Sequence, residues 1–119
     1  MAGKGYQDLV VWQKSMDLVT EIYRLVLNLP KHENYALSDQ MRRATVSIPS
    51  NIAEGQSRKS KKEFLQFLAI AQGSKAELQT QLLICNRLGY ATLPEIEKAM
   101  QLCEEIGSMI YVLSAKLKA

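Results

Sequence analysis

A chain of 119 residues with 47% hydrophobic and 23% charged side chains has the length of one domain and a composition near the globular average. That balance excludes a disordered tail, and the longest apolar runs, such as Phe67–Ala71, fall far short of the ~20 residues a membrane span needs. The net charge of +3 is unevenly placed: from Arg42 to Lys62 six cations face Glu54 alone, a local +5 that leaves −2 for the rest of the chain.

No apolar core of a signal peptide follows Met1–Gly5, so a cytoplasmic location is expected. Apolar residues then recur at helical spacing in four stretches. The first runs Leu9, Trp12, Met16, Val19, Tyr23, Val26 and stops at Leu29-Pro30, because proline cannot continue a helix. These side chains, Trp12, Tyr23 and the methionines included, are expected in the core. Lys31–Tyr35 reads as a loop.

The second stretch is Leu37, Met41, Ala44, Ile48, Ile52, with Ser38 as its cap. Pro49 lies inside it and is expected to kink or loosen the helix, and Gly55 to end it in a left-handed conformation. The third, Phe64, Leu68, Ala71, Leu78, Leu82, Cys85, opens on a capping box of Ser60 and Glu63 and closes at Gly89. Its middle, Gly73-Ser74-Lys75-Ala76, is poor in large apolar groups, so a neighbouring backbone or a polar network is expected there. The fourth opens on Thr92, Pro94 and Glu95 and runs Ile96, Ala99, Cys103, Ile106, Ile110, Leu113, Leu117.

Nothing alternates like a half-buried strand, so the expected fold is all-α. Short connections favour an antiparallel up-down-up-down four-helix bundle forming a single domain over residues 1–119. The two cysteines sit on apolar rows at different heights from the turn near Gly89, which predicts buried free thiols without a bridge.

No catalytic residues, metal or cofactor are expected. The one histidine, His32, lies in a loop and cannot supply the paired Glu-x-x-His motifs of a di-metal bundle, and neither cysteine has a zinc partner at ligand spacing. Gly55–Ser60 lacks the second glycine and the preceding strand of a phosphate loop.

The basic corner carries the functional expectation. Arg58, Lys59, Lys61 and Lys62 surround the start of the third helix, where the helix dipole disfavours cations by roughly 0.3–1 kcal/mol each. The fourth helix opens with Glu95 and Glu97, as the dipole prefers. Cations gathered against that field suit an anion, phosphate above all; the alternative is a salt-screened loop that maintains solubility. No aromatic residue interleaves with them, so contact would be to phosphates, of RNA or DNA, with little base selectivity. The nearby Ser47–Gly55 segment sets Ser47, Pro49, Asn51, Glu54 and Gly55 beside apolar Ile48 and Ile52. It suggests a hydrogen-bonded network fixing the turn between helices two and three, or a subunit contact, against plain solvent exposure.

The run Leu37–Ala44 leads into Ser-Ile-Pro-Ser-Asn-Ile-Ala-Glu-Gly over residues 47–55 and then Arg58. Upstream lie Asp8–Lys14, then Leu29-Pro30 with Glu33 and Tyr35; downstream lie Phe64-Leu65 to Ala71, Ser74, Glu77 and Leu88-Gly89-Tyr90. Together they cover nearly the whole chain, and they resemble the proteins encoded by intervening sequences of bacterial 23S ribosomal RNA genes. The resemblance implies a four-helix protomer in a ring-like homo-oligomer, a pentamer in related proteins. The family is also similar to the accessory variability protein of diversity-generating retroelements, which partners a reverse transcriptase and contacts RNA through a basic surface. By that analogy Arg42, Arg43, Arg58, Lys59, Lys61 and Lys62 would line such a surface, on a non-enzymatic accessory protein. An oligomeric protein–protein scaffold without nucleic acid is the competing expectation.

Overall fold

A computed structural model describes residues 5–119; Met1–Lys4, where the absence of a leader was read, lie outside them. The described residues form four α-helices, α1 (Val10–Val26), α2 (Leu37–Gln56), α3 (Lys61–Arg87) and α4 (Leu93–Lys118), with short 3-10 turns at Gly5–Asp8 and Lys31–Glu33. Among the described residues there is no strand. Each helix packs on two others: α1 on α2 and α4, α3 on α2 and α4, with α2 and α3 sharing the most extensive contact.

Three of the four apolar rows are as the spacing predicts. Leu37, Met41, Ala44, Ile48 and Ile52 of α2, Leu68, Ala71, Leu78, Leu82 and Cys85 of α3, and Ile96, Ala99, Cys103, Ile106 and Ile110 of α4 are buried in one core, with Phe64, Leu113 and Leu117 of the same rows partly buried against it. Burial of each large aliphatic side chain stabilises by about 1.5–3 kcal/mol relative to leaving it exposed. Both cysteines are free and buried; the Cys85 thiol lies 3.5 Å from the Met41 sulfur.

Helix α1 is rotated from its predicted row, of which Val26 is buried and Leu9 and Trp12 are partly buried. Val11, Ser15, Leu18, Ile22, Leu25 and Val26 are the buried positions, whereas Met16 and Tyr23 are exposed and Trp12 is half-buried, edge-on to Tyr6. The true row contains a serine, and its hydroxyl is satisfied by donating to the Val11 carbonyl at 2.7 Å. A serine bonded one turn back can occupy a core row without an unpaired polar group.

The helix ends differ in detail. Helix α2 starts one residue before Ser38, so that side chain lies inside the first turn, buried, and is no cap. The Glu33 carboxylate takes that part by accepting the Leu37 N–H at 3.3 Å. Pro49 does not end the helix, which continues to Gln56 with Gly55 inside it in an ordinary helical conformation. Gly55 is there for closeness: a Cβ built on it would lie 2.8 Å from both Phe64 Cδ1 and Phe67 Cβ of α3. Gly89 does take the left-handed conformation, at φ 79°. With Tyr90 N–H to Cys85 C=O at 2.9 Å and Gly89 N–H to Asn86 C=O at 3.1 Å, it closes α3 in a Schellman motif. At the start of α4 the Thr92–Glu95 box is complete. At the start of α3 only half forms: Ser60 Oγ accepts the Glu63 N–H, while the Glu63 carboxylate accepts the Ser60 hydroxyl.

Candidate polyanion interface

The link Ser57–Ser60 between α2 and α3 is four residues long, and it carries the cations onto one end of that helix pair. Lys59, Lys61 and Lys62 are exposed and have no ion-pair partner among the described residues. They surround the first turn of a 27-residue helix, whose free N–H groups and dipole add to their field.

Arg58 belongs to a different arrangement. Its guanidinium pairs with Glu54 of α2 at 3.0 Å and with Glu63 of α3 at 3.8 Å, and lies 4.9 Å above the Phe67 ring. One side chain thereby binds the end of α2 to the start of α3, and its charge is compensated. Arg42 and Arg43 stand elsewhere. They occupy the second turn of α2, and 14 residues of helix, about 21 Å, separate Arg42 from the end of α2 at Gln56, beyond which Arg58 lies. Arg42 donates to the Asn34 carbonyl at 2.8 Å, and Arg43 pairs with Asp39 at 3.0 Å. Of the six cations between residues 42 and 62, the fold brings four together, and three of those four have no ion-pair partner among the described residues.

The Ser47–Gly55 segment forms a network at the α2–α3 contact. Ser47 Oγ and the buried Ser74 of α3 share a hydrogen bond at 2.8 Å, and Asn51 Nδ2 donates to Ser47 C=O and Oγ at 2.8 and 2.9 Å. The polar stretch around Ser74 is the α3 half of this network. Pro49 is buried, Glu54 holds Arg58, and Gly55 lets Phe64 and Phe67 approach.

A second cluster was not foreseen as a unit. Tyr90 Oη donates to Glu33 Oε2 at 2.8 Å, and His32 Nε2 lies 3.3 Å from the same phenol oxygen, joining the α1–α2 and α3–α4 connections. The Tyr90 hydroxyl, then the Leu37 N–H, hold the Glu33 carboxyl below the usual range, and Glu33 in turn raises Tyr90. Burial pushes the Cys103 thiol up to about 12 and the Cys85 thiol up as well, so neither carries thiolate near neutral pH. Among the described residues no group of three or more His, Cys, Asp or Glu could hold a metal ion, and no helix is long and apolar enough to cross a membrane.

Comparison with solved structures finds a crystal structure from Bacteroides thetaiotaomicron, described as a protein of unknown function from the S23 ribosomal protein family. It superposes with a TM-score of 0.79 at 26% identity, covering 88% of this chain and 98% of that one. No curated protein matches the chain. The sequence model of the 23S rRNA-intervening sequence proteins matches residues 7–112, which include α1, α2, α3 and most of α4. With the fold, the shared architecture and that match in agreement, the chain belongs to the 23S rRNA-intervening sequence protein family.

Proposed function

We propose that the protein is a non-enzymatic, self-associating accessory protein that contacts nucleic-acid phosphates, of RNA or DNA, through Lys59, Lys61 and Lys62. The observation that carries this is the uncompensated trio at the positive pole of α3, an arrangement that costs stability unless an anion joins it. Arg58 acts behind the trio by fixing the loop that presents it. Arg42 and Arg43 lie near the other end of α2 and are not part of this contact.

The protomer is an up-down-up-down bundle on this reading. Cross-helix pairs whose numbers run in opposite senses support it: Met41 with Cys85 and Ser47 with Ser74 for α2–α3, Lys14 with Glu105 and Glu21 with Lys98 for α1–α4. Gln72 with Gly107 and Gln79 with Glu104 do the same for α3–α4. Family membership favours a ring-like homo-oligomer, a pentamer by analogy, working in the cytoplasm with a reverse transcriptase or another protein. A ring would multiply a three-lysine contact through avidity.

The experiment is an anisotropy titration of single- and double-stranded RNA and DNA over a range of salt. The parent should bind all sequences similarly, with log K falling against log salt by about 0.9 per duplex phosphate contacted. The combined Lys59→Gln, Lys61→Gln, Lys62→Gln variant should bind more weakly and lose most of that slope. No binding by the parent at low salt, or an unchanged slope in the variant, defeats the proposal. The second reading, a protein–protein scaffold, is favoured by large apolar side chains left in solvent, among them Leu27, Tyr35 and Tyr111. It predicts that the lysine variant is fully active in partner capture.

A further inference from the structure

The antiparallel pairing of α3 and α4 carries two more lysines to the basic end of the molecule. Gln72 of α3 donates to the Gly107 carbonyl of α4 at 3.1 Å, which ties the two helices at one level. Lys61 lies 11 residues before Gln72, and Lys118 lies 11 residues after Gly107. Both therefore stand about 16 Å from that bond in the same direction, level with each other at one end of the bundle. Lys116 shares the last turns of α4. It lines the cleft that α4 forms with Leu9–Val11 of α1, whereas Lys118 falls two turns beyond Tyr111, on the side that faces Gln72 and Lys75 of α3. Both are exposed, and neither has an ion-pair partner among the described residues. Cations suit the last turn of a helix, so their place in the sequence requires no ligand. What the fold adds is their position beside Lys59, Lys61 and Lys62.

We infer that Lys116 and Lys118 form a second prong of the phosphate contact, and that the two prongs take the two strands of a nucleic-acid duplex. The inference rests on the polyanion reading above and names its ligand. Packed helix axes stand about 8–10 Å apart, and side chains reach about 5–6 Å from each axis, so the ammonium groups of the prongs can stand up to about 20 Å apart. A single strand offers one row of phosphates, which must turn to meet both prongs. A duplex offers two rows flanking a groove, about 6 or 12 Å wide in DNA, within that reach. The prongs also lack the free aromatic faces on which single strands stack their bases. Phe64 packs against the core, and Arg58 lies over the Phe67 ring. A duplex keeps its bases stacked inside and needs no such face.

The test is an anisotropy titration against salt, with a short duplex of mixed sequence and one of its strands as probes. The full chain carrying Lys116→Gln and Lys118→Gln should lose about 1.8 from the duplex slope, two contacts at about 0.9 each, and less than about 0.7 from the strand slope. Lys31→Gln with Arg87→Gln removes the same charge near the far end of α3 and should leave both slopes unchanged. So should Tyr111→Ala, which deletes the exposed ring nearest Lys118 along α4. Acetylation of the unmutated chain, mapped by mass spectrometry, gives a readout free of any folding defect: bound duplex should protect Lys116 and Lys118 along with Lys59, Lys61 and Lys62, and not Lys31. An unprotected α4 pair, or an equal loss of slope in the Lys31 and Arg87 control, overturns the second prong. A strand that loses as much slope as the duplex, or that depends on Tyr111, overturns the duplex assignment. If the Lys59, Lys61 and Lys62 variant loses slope and the α4 variant does not, only this inference falls. If the parent binds neither probe at low salt, the polyanion reading falls with it.

Discussion

Replacing Gly55 by alanine tests the close approach of α2 and α3. The new methyl carbon would meet Phe64 Cδ1 and Phe67 Cβ, each at 2.8 Å, and the Phe64 carbonyl oxygen at 3.3 Å. Carbon atoms at rest prefer about 3.5–4.0 Å. The Phe64 ring can swing away, but Phe67 Cβ is fixed to the α3 backbone, so the helices themselves must part. Overpacking of that kind costs about 2–3 kcal/mol, the upper part of the usual range. Alanine returns about 1 kcal/mol because it is the better helix former, so the net loss is about 1–2 kcal/mol. Gly73 supplies the control, a glycine inside α3 with nothing within 4 Å of the same probe atom. There the substitution should stabilise by about 0.5–1 kcal/mol. Urea unfolding followed by circular dichroism, at two protein concentrations to separate dissociation from unfolding, should place the two midpoints roughly 1 M apart on either side of the parent. A Gly55→Ala midpoint at or above that of the parent refutes the close approach and the register built on it.

Tyr90→Phe should destabilise the protein through the lost bond to Glu33, and the loss should depend on pH. Glu33 is held below its ordinary 4.5, so its contribution is present above that value and disappears as pH falls through the lowered one. Tyr90 is raised above 10.0, so its contribution is present below that value and disappears as pH rises through the raised one. The gap in melting temperature between parent and variant should therefore be flat near neutrality and close at both extremes; a gap that widens in acid contradicts the assignment. Arg58→Gln should cost about 0.5–1 kcal/mol by thermal melting, a partly exposed ion pair together with a ring contact. It should alter the salt slope of nucleic-acid binding far less than removal of the lysines. An equal drop in slope would return Arg58 to the phosphate contact.

The apolar rows of α2, α3 and α4 were legible because large aliphatic residues recur along each without a rival. In α1 two adjacent rows compete: Trp12, Met16 and Tyr23 lie on one, Leu18, Ile22 and Leu25 on the other. Ser15 makes the true row look interrupted, because its bond to the Val11 carbonyl is invisible to a count of apolar side chains. Gly55 resembles a helix end in the sequence because glycine after an amphipathic stretch usually is one. The competing signal, two phenylalanines soon after a short link, acquires meaning only when the chain folds back. The site divides the same way. Charge density along the sequence found Lys59, Lys61 and Lys62. It could not find that Glu54 and Glu63 embrace Arg58 from two helices, or that a helix of constant rise carries Arg42 about 21 Å from the end of α2. Tyr90 and Glu33 lie 57 positions apart, a pairing that no local pattern specifies.

The Ser47–Ser74 hydroxyl pair between α2 and α3 also limits how this molecule can move. Sliding one helix past the other by a turn, about 5.4 Å, would strand Ser74 in an apolar environment, part it from Ser47 and drive Phe67 out of the notch at Gly55. Ratcheting between these two helices is therefore barred. A ligand captured by the lysines can be felt elsewhere only if α2 and α3 swing together as one lever against α1 and α4.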